Sequence, residues 1–110
     1  MTKTPAKPPA HLSAAMRKWW SSVIENYDLE EHHRKLLTLA CEAHDRCADA
    51  RETIAKSGAF FTNFHGEPRV HPAVNVERDA RLSFARLLRE LGLDGAPLVD
   101  DARLPRLGQR

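Results

Sequence analysis

Apolar residues recur along this chain at helical spacing in three stretches, with one short alternating stretch between the second and third. Met16, Trp20, Val23 and Tyr27 repeat at intervals of three and four, with Ile24 beside them. They predict a first helix over about residues 14–27, with Ser13 as its N-cap. Leu36, Ala40, Ala43, Cys47, Ala50 and Ile54 follow a strict 4-3-4-3-4 spacing. That seam predicts a second helix from about Glu30 to Ser57, with Asp28 capping the segment. Leu37, Cys41, His44, Ala48 and Ala55 form a flanking line. Ala73, Val76, Ala80, Phe84, Leu87 and Leu91 mark a third helix from Pro72 to Leu91, opened by a proline and closed by Gly92.

Between the last two helices the spacing changes. Gly58 ends the second helix in the left-handed conformation that a residue without Cβ adopts cheaply. Phe60 to Asn63 reads as a strand, Asn63-Phe64-His65-Gly66 as a turn, and Glu67 to Val70 as a returning strand. The predicted fold is mainly α: three helices, a small β-hairpin between the second and third, a long helical pair, and flexible termini. Residues 1–12 read as a flexible basic arm, 13–93 as a helical domain, and 94–110 as a flexible tail.

The second helix, at about 28 residues, would be roughly 42 Å long. That exceeds what so small a domain needs for itself, and most seam residues are small enough for close approach. A helical core of roughly 80 residues is also marginal alone. Trp19, Leu36, Ala40, Ala43, Cys47, Ala50, Ile54 and Leu82 are therefore the expected oligomer contacts. Trp19 stands beside the apolar face of its helix, and Leu82 interrupts the polar face of the third.

Charge adds a direction. The formal net charge is +2, but residues 1–24 carry Lys3, Lys7, Arg17 and Lys18 and no acid, whereas residues 25–58 carry eight acids against five bases. A basic end on a near-neutral body suits an arm that meets a polyanion. Lys3, Lys7, Arg17 and Lys18 are the first DNA-contact candidates, and Arg78, Arg81, Arg86 and Arg89 on the third helix are the second. The N-terminal set is the stronger, because an arginine face flanked by Glu77, Asp79 and Glu90 is ordinarily a solvated one. Glu77 with Arg81 and Arg86 with Glu90 have the spacing of i,i+4 pairs.

Catalytic and metal chemistry find little support. Cys41, His44 and Cys47 fan over about 120° of one helix and are strung along about 9 Å of its axis, so with His32 and His33 upstream they do not converge on a tetrahedral ion. The two thiols read as reduced core residues, which fits a cytosolic compartment. His65, Glu67, His71 and Asp79 are turn, cap and surface residues rather than a nuclease set. No phosphate loop or nucleophile elbow is present. No catalytic residue, metal or cofactor is expected. No apolar run approaches membrane-spanning length.

The wording of the chain carries a resemblance. Pro9-Ala-His-Leu-Ser-Ala14, Trp19-Trp20, Leu36-Leu37-Thr-Leu-Ala-Cys-Glu42, Gly58…Gly66…His71-Pro72-Ala-Val and Arg86-Leu-Leu-Arg-Glu-Leu-Gly-Leu93, in that order, resemble phage terminase small subunits of the short, mostly helical type. The similarity covers about residues 8–94. It implies a non-enzymatic subunit in the host cell cytoplasm that recognises the packaging site on double-stranded viral DNA. Its implied partners are the large terminase subunit and further copies of itself in a ring. After Leu93 the chain departs from the family, with Asp94-Gly-Ala-Pro-Leu-Val-Asp-Asp101 where many relatives have a proline-serine-arginine segment. The residues alone also admit a dimeric helical DNA-binding transcription regulator or an adaptor that binds only protein.

Overall fold

In a computed structural model, which describes residues 6–93, the chain runs α1 (Ala14–Asn26), α2 (Glu31–Ser57), β1 (Phe60–Thr62), β2 (Pro68–Val70) and α3 (Pro72–Glu90). This is the predicted order of three helices and one hairpin. Lys3 and the predicted tail 94–110 lie outside the described residues. Among those described, no helix is long and apolar enough to cross a membrane.

Helix ends follow local chemistry. Ser13 caps α1, its hydroxyl accepting from the Met16 N–H at 3.2 Å. The helix stops before Tyr27, which is extended. Asp28, expected to cap the next helix, does not occupy that place. Glu30 does, without a side-chain hydrogen bond, and Glu31 supplies negative charge to the first turn instead. His71 caps α3, its Nδ1 accepting from the Ala73 N–H at 3.0 Å, and Pro72 follows where no donor is needed.

Gly58 departs from the left-handed cap. Its φ of 85° is positive, but its ψ of 160° is extended. The chain therefore leaves α2 straight into β1 instead of curling back. The strands pair antiparallel, Phe60 opposite Val70 and Thr62 opposite Pro68. Asn63 organises the turn: its Oδ1 accepts from the backbone N–H groups of His65 and Glu67 at 2.9 and 3.0 Å. The base is closed by the His71 N–H donating to the Ala59 carbonyl at 2.7 Å.

α3 runs back antiparallel along α2, placing His44 against Phe84 and Cys47 and Arg51 against Glu77. Leu12, Met16, Trp20, Val23, Leu29, Leu37, Cys41 and Leu91 form the core where α1 joins this pair. Trp20 donates its indole N–H to the Thr38 hydroxyl at 3.3 Å. Towards the hairpin only two helices remain, and the buried residues are small: Ala43, Cys47 and Ala50 on α2, Ala73 and Ala80 on α3.

Candidate nucleic-acid and assembly surfaces

The predicted oligomer contacts fall into two groups. Ala40, Ala43, Cys47 and Ala50 are buried within the single chain, on the half of α2 that α3 covers. Within the single chain these residues therefore meet α3, the packing of second on third helix that their small side chains allow. Leu36 is half-buried against the three-helix core, Trp19 packs on Phe84 at 6.0 Å between ring centroids, and Ile54 is half-buried. Leu82 is different. It is 52% exposed on the outer face of α3. Leu39, absent from the predicted set, is 51% exposed on α2.

The basic candidates also divide. Arg17 turns inward, its guanidinium donating to the backbone carbonyls of Leu12 and Ala10 at 2.5 and 3.4 Å. It holds the chain before α1 while keeping its charge. Lys7 and Lys18 are exposed and make no ion pair among the described residues. On α3, Arg81 reaches Glu77 at 3.4 Å, the predicted i,i+4 pair, and Arg78 reaches Asp79 at 3.4 Å. Arg86 and Arg89 are exposed and make no ion pair among the described residues, so the predicted Arg86–Glu90 pair does not form.

Sequence reasoning missed what anchors the basic arm. Asp45 accepts from both the backbone N–H and the hydroxyl of Ser13, at 2.8 and 2.6 Å. Glu42 meets His11 Nε2 at 2.7 Å. Acids from the negative stretch of α2 thus clamp the root of the positive segment, and Lys7 leaves from a fixed point. The only signal in the sequence was the opposite charge of the two stretches. The partners stand 31 and 32 residues apart, and no local rule pairs them.

A second cluster ties α2 to α3. Glu77 Oε2 accepts from Arg51 Nε at 3.0 Å and from the Cys47 thiol at 3.4 Å, and lies 3.4 Å from Arg81 Nε. The Arg51 hydrogen bond holds the carboxyl below its ordinary range, against the opposing effect of burial, with the Cys47 thiol and the Arg81 charge adding to the lowering. Burial pushes the Cys47 thiol up, and its bond to Glu77 adds to the rise. Burial likewise pushes Cys41 up to about 12, reinforced by Asp45 and Glu42. Both thiols are free and protonated, and they face different neighbours, Cys41 towards the Met16 carbonyl and Cys47 towards Glu77. A cavity of about 260 Å³ borders this cluster, lined by His44, Cys47, Ala48, Arg51, Arg81 and Phe84. With its carboxylate ion-paired and its thiol protonated, the cluster works as a cross-link between helices.

His65, Glu67, His71 and Asp79 are dispersed. His71 caps α3, His65 stacks on Phe64 at the hairpin tip, Glu67 lies 3.6 Å from Arg69, and Asp79 is exposed on α3. Glu30, His32 and His33 do gather at the start of α2, with ligand atoms within 4.8 Å of one another. Glu30 and His32 there are open to solvent.

Compared with known protein families, residues 15–97 match the family described as phage terminase, small subunit. Comparison with curated proteins gives no match, and neither does comparison with solved structures.

Proposed function

Since the chain belongs to the phage terminase small-subunit family, we propose that it binds the packaging site on double-stranded viral DNA. In this reading it acts in the host cytoplasm as a homo-oligomer and recruits or regulates the large terminase subunit, without chemistry of its own. The observation that carries the DNA part is the clamped basic arm. Ser13 and His11 are fixed to Asp45 and Glu42, so the exposed Lys7 lies four residues before a fixed root, and Lys18 is exposed on α1 after it. Each such lysine supplies a weak, sequence-independent phosphate contact. Repeated over several copies, these contacts add through avidity.

The test is DNA affinity across a salt series, comparing the native chain with a Lys3→Ala/Lys7→Ala/Lys18→Ala variant. Each lysine that meets a phosphate is expected to contribute about one to the slope of log K against log salt. The variant should therefore bind more weakly and with a shallower slope. Unchanged affinity and slope would remove the arm from the reading. Arg17→Ala is a separate case, because it also frees the carbonyls of Leu12 and Ala10.

A further inference from the structure

The pair of α2 and α3 has two outer edges of opposite charge. On α2, Glu42, Asp45, Asp49 and Glu52 recur at 3-4-3 spacing and so form one ridge. Counting 100° per residue, that ridge lies about half a turn from Ala40, Ala43, Cys47 and Ala50, which are buried beneath α3. On α3, Arg78, Leu82, Arg86 and Arg89 form a ridge about half a turn from buried Ala73 and Ala80. At 1.5 Å per residue the ridges are roughly 15 and 17 Å long.

They also stand at the same height. His44 lies on Phe84 and Arg51 on Glu77. That antiparallel register sets Arg78 level with Asp49 and Glu52, and Arg86 level with Glu42. Between them, level with Leu82, a concavity of about 280 Å³ opens on α2, lined by His11, Leu12, Glu42, Asp45, Arg46 and Asp49. Within the chain Glu42 meets His11, Asp45 holds Ser13, Glu52 pairs with Lys56 and Arg78 lies 3.4 Å from Asp79, whereas Asp49, Arg86 and Arg89 are exposed and without an ion pair among the described residues.

We propose that the arginine edge of α3 on one copy docks, head to tail, on the acidic edge of α2 on a second copy. This deepens the homo-oligomer reading above by naming the surfaces that meet. Like edges repel, and the two complementary edges face away from each other, so a two-fold dimer cannot satisfy both. Each copy keeps one unused edge, and the contact propagates until a constant rotation closes it. Leu82 stands at the centre, over a concavity whose lining is polar apart from Leu12, with the charged positions at either side. The arginines of α3 are then committed to a neighbour, which leaves the N-terminal arm for DNA.

Charge exchange on the full-length chain tests this by light-scattering mass in the absence of DNA. Arg78→Glu and Asp49→Arg/Glu52→Arg alter exposed side chains that the register sets level with each other, and circular dichroism checks that the helices persist. Each variant alone is expected to fall from the assembled mass to that of one 12.4 kDa chain. Mixed together, they should regain the assembled mass, because every contact again joins opposite signs. A misfolded variant would not be rescued, so an Arg86→Gln/Arg89→Gln chain, expected to associate more weakly than native, provides a milder reading. Native mass retained by either reversed variant, no recovery on mixing, or a native chain that is monomeric would overturn the proposal. Native mass with lost DNA binding in the α3 variant would assign that edge to DNA instead. None of these outcomes depends on the lysine series, so either idea can fail alone.

Discussion

At one end of the molecule three helices meet around Trp20, Leu37 and Leu91; at the other, α2 and α3 continue as a bare pair and close in a hairpin. The first end buries large side chains, with Leu12, Leu37, Cys41 and Leu91 fully enclosed. The second buries alanines and one cysteine and leaves Phe60, Phe61, Phe64 and Val70 in the open. Three helices create an interior that large residues can fill. Two helices have only a line of contact, so small residues let their backbones approach and polar groups such as Glu77 cross-link the flank. The same α2 therefore serves as part of a core along its first half and as half of a ladder along its second.

The sharpest way to break that contrast is at the core end. Leu37→Ala leaves a cavity where the side chain is 0% exposed and is expected to cost about 2–5 kcal/mol in urea unfolding. Next in size is the reverse change in the ladder. Ala50→Leu forces bulk between α2 and α3 and should cost about 1–3 kcal/mol. If Ala50→Leu were neutral, the helices would not be in close contact there.

Glu77→Gln probes the cross-link, with a smaller and pH-dependent effect. Its carboxyl is held below the ordinary value of 4.5, first by the Arg51 hydrogen bond. The ionised form is the favoured one in the folded chain. Its contribution is therefore fully present above that ordinary value and fades as pH falls through the lower, folded-state value. Native and variant stabilities should differ at neutral pH and converge in acid. A constant difference from neutral pH to well below 4.5 would mean that the glutamate acts through shape rather than charge.

These contrasts explain what was legible in the sequence. The helices were, because apolar residues at helical spacing must share a face whatever covers it. The hairpin was, because Asn63 and Gly66 have few other uses between two short β-prone runs. The seam of Ala40, Ala43, Cys47 and Ala50 declared a close approach but not whose helix makes it; periodicity is the same for a neighbour in the chain and a neighbour in space. Charge segregation showed the basic arm, yet its clamp to Glu42 and Asp45 depends on how α1 settles on α2. The ψ of Gly58 was beyond reach for a related reason: it is set by where the hairpin must leave, not by the glycine.

The smallest expected effect lies at the hairpin tip. Phe64 is 93% exposed, and its ring lies against that of its neighbour His65, with ring centroids 3.9 Å apart. The turn is held by the Asn63 side chain and by backbone bonds that leave Phe64 out: Asn63 N–H to the Glu67 carbonyl at 3.0 Å, and Gly66 N–H to the Asn63 carbonyl at 2.9 Å. Phe64→Ser removes neither set, so thermal or urea unfolding should shift by no more than about 0.5 kcal/mol. The hairpin is tied to the helices through its base, by His71 and Ala59, rather than through its aromatic tip. A loss above roughly 1 kcal/mol would place this ring in a buried cluster. The contrast between a filled core end and an open hairpin end would then have to be redrawn.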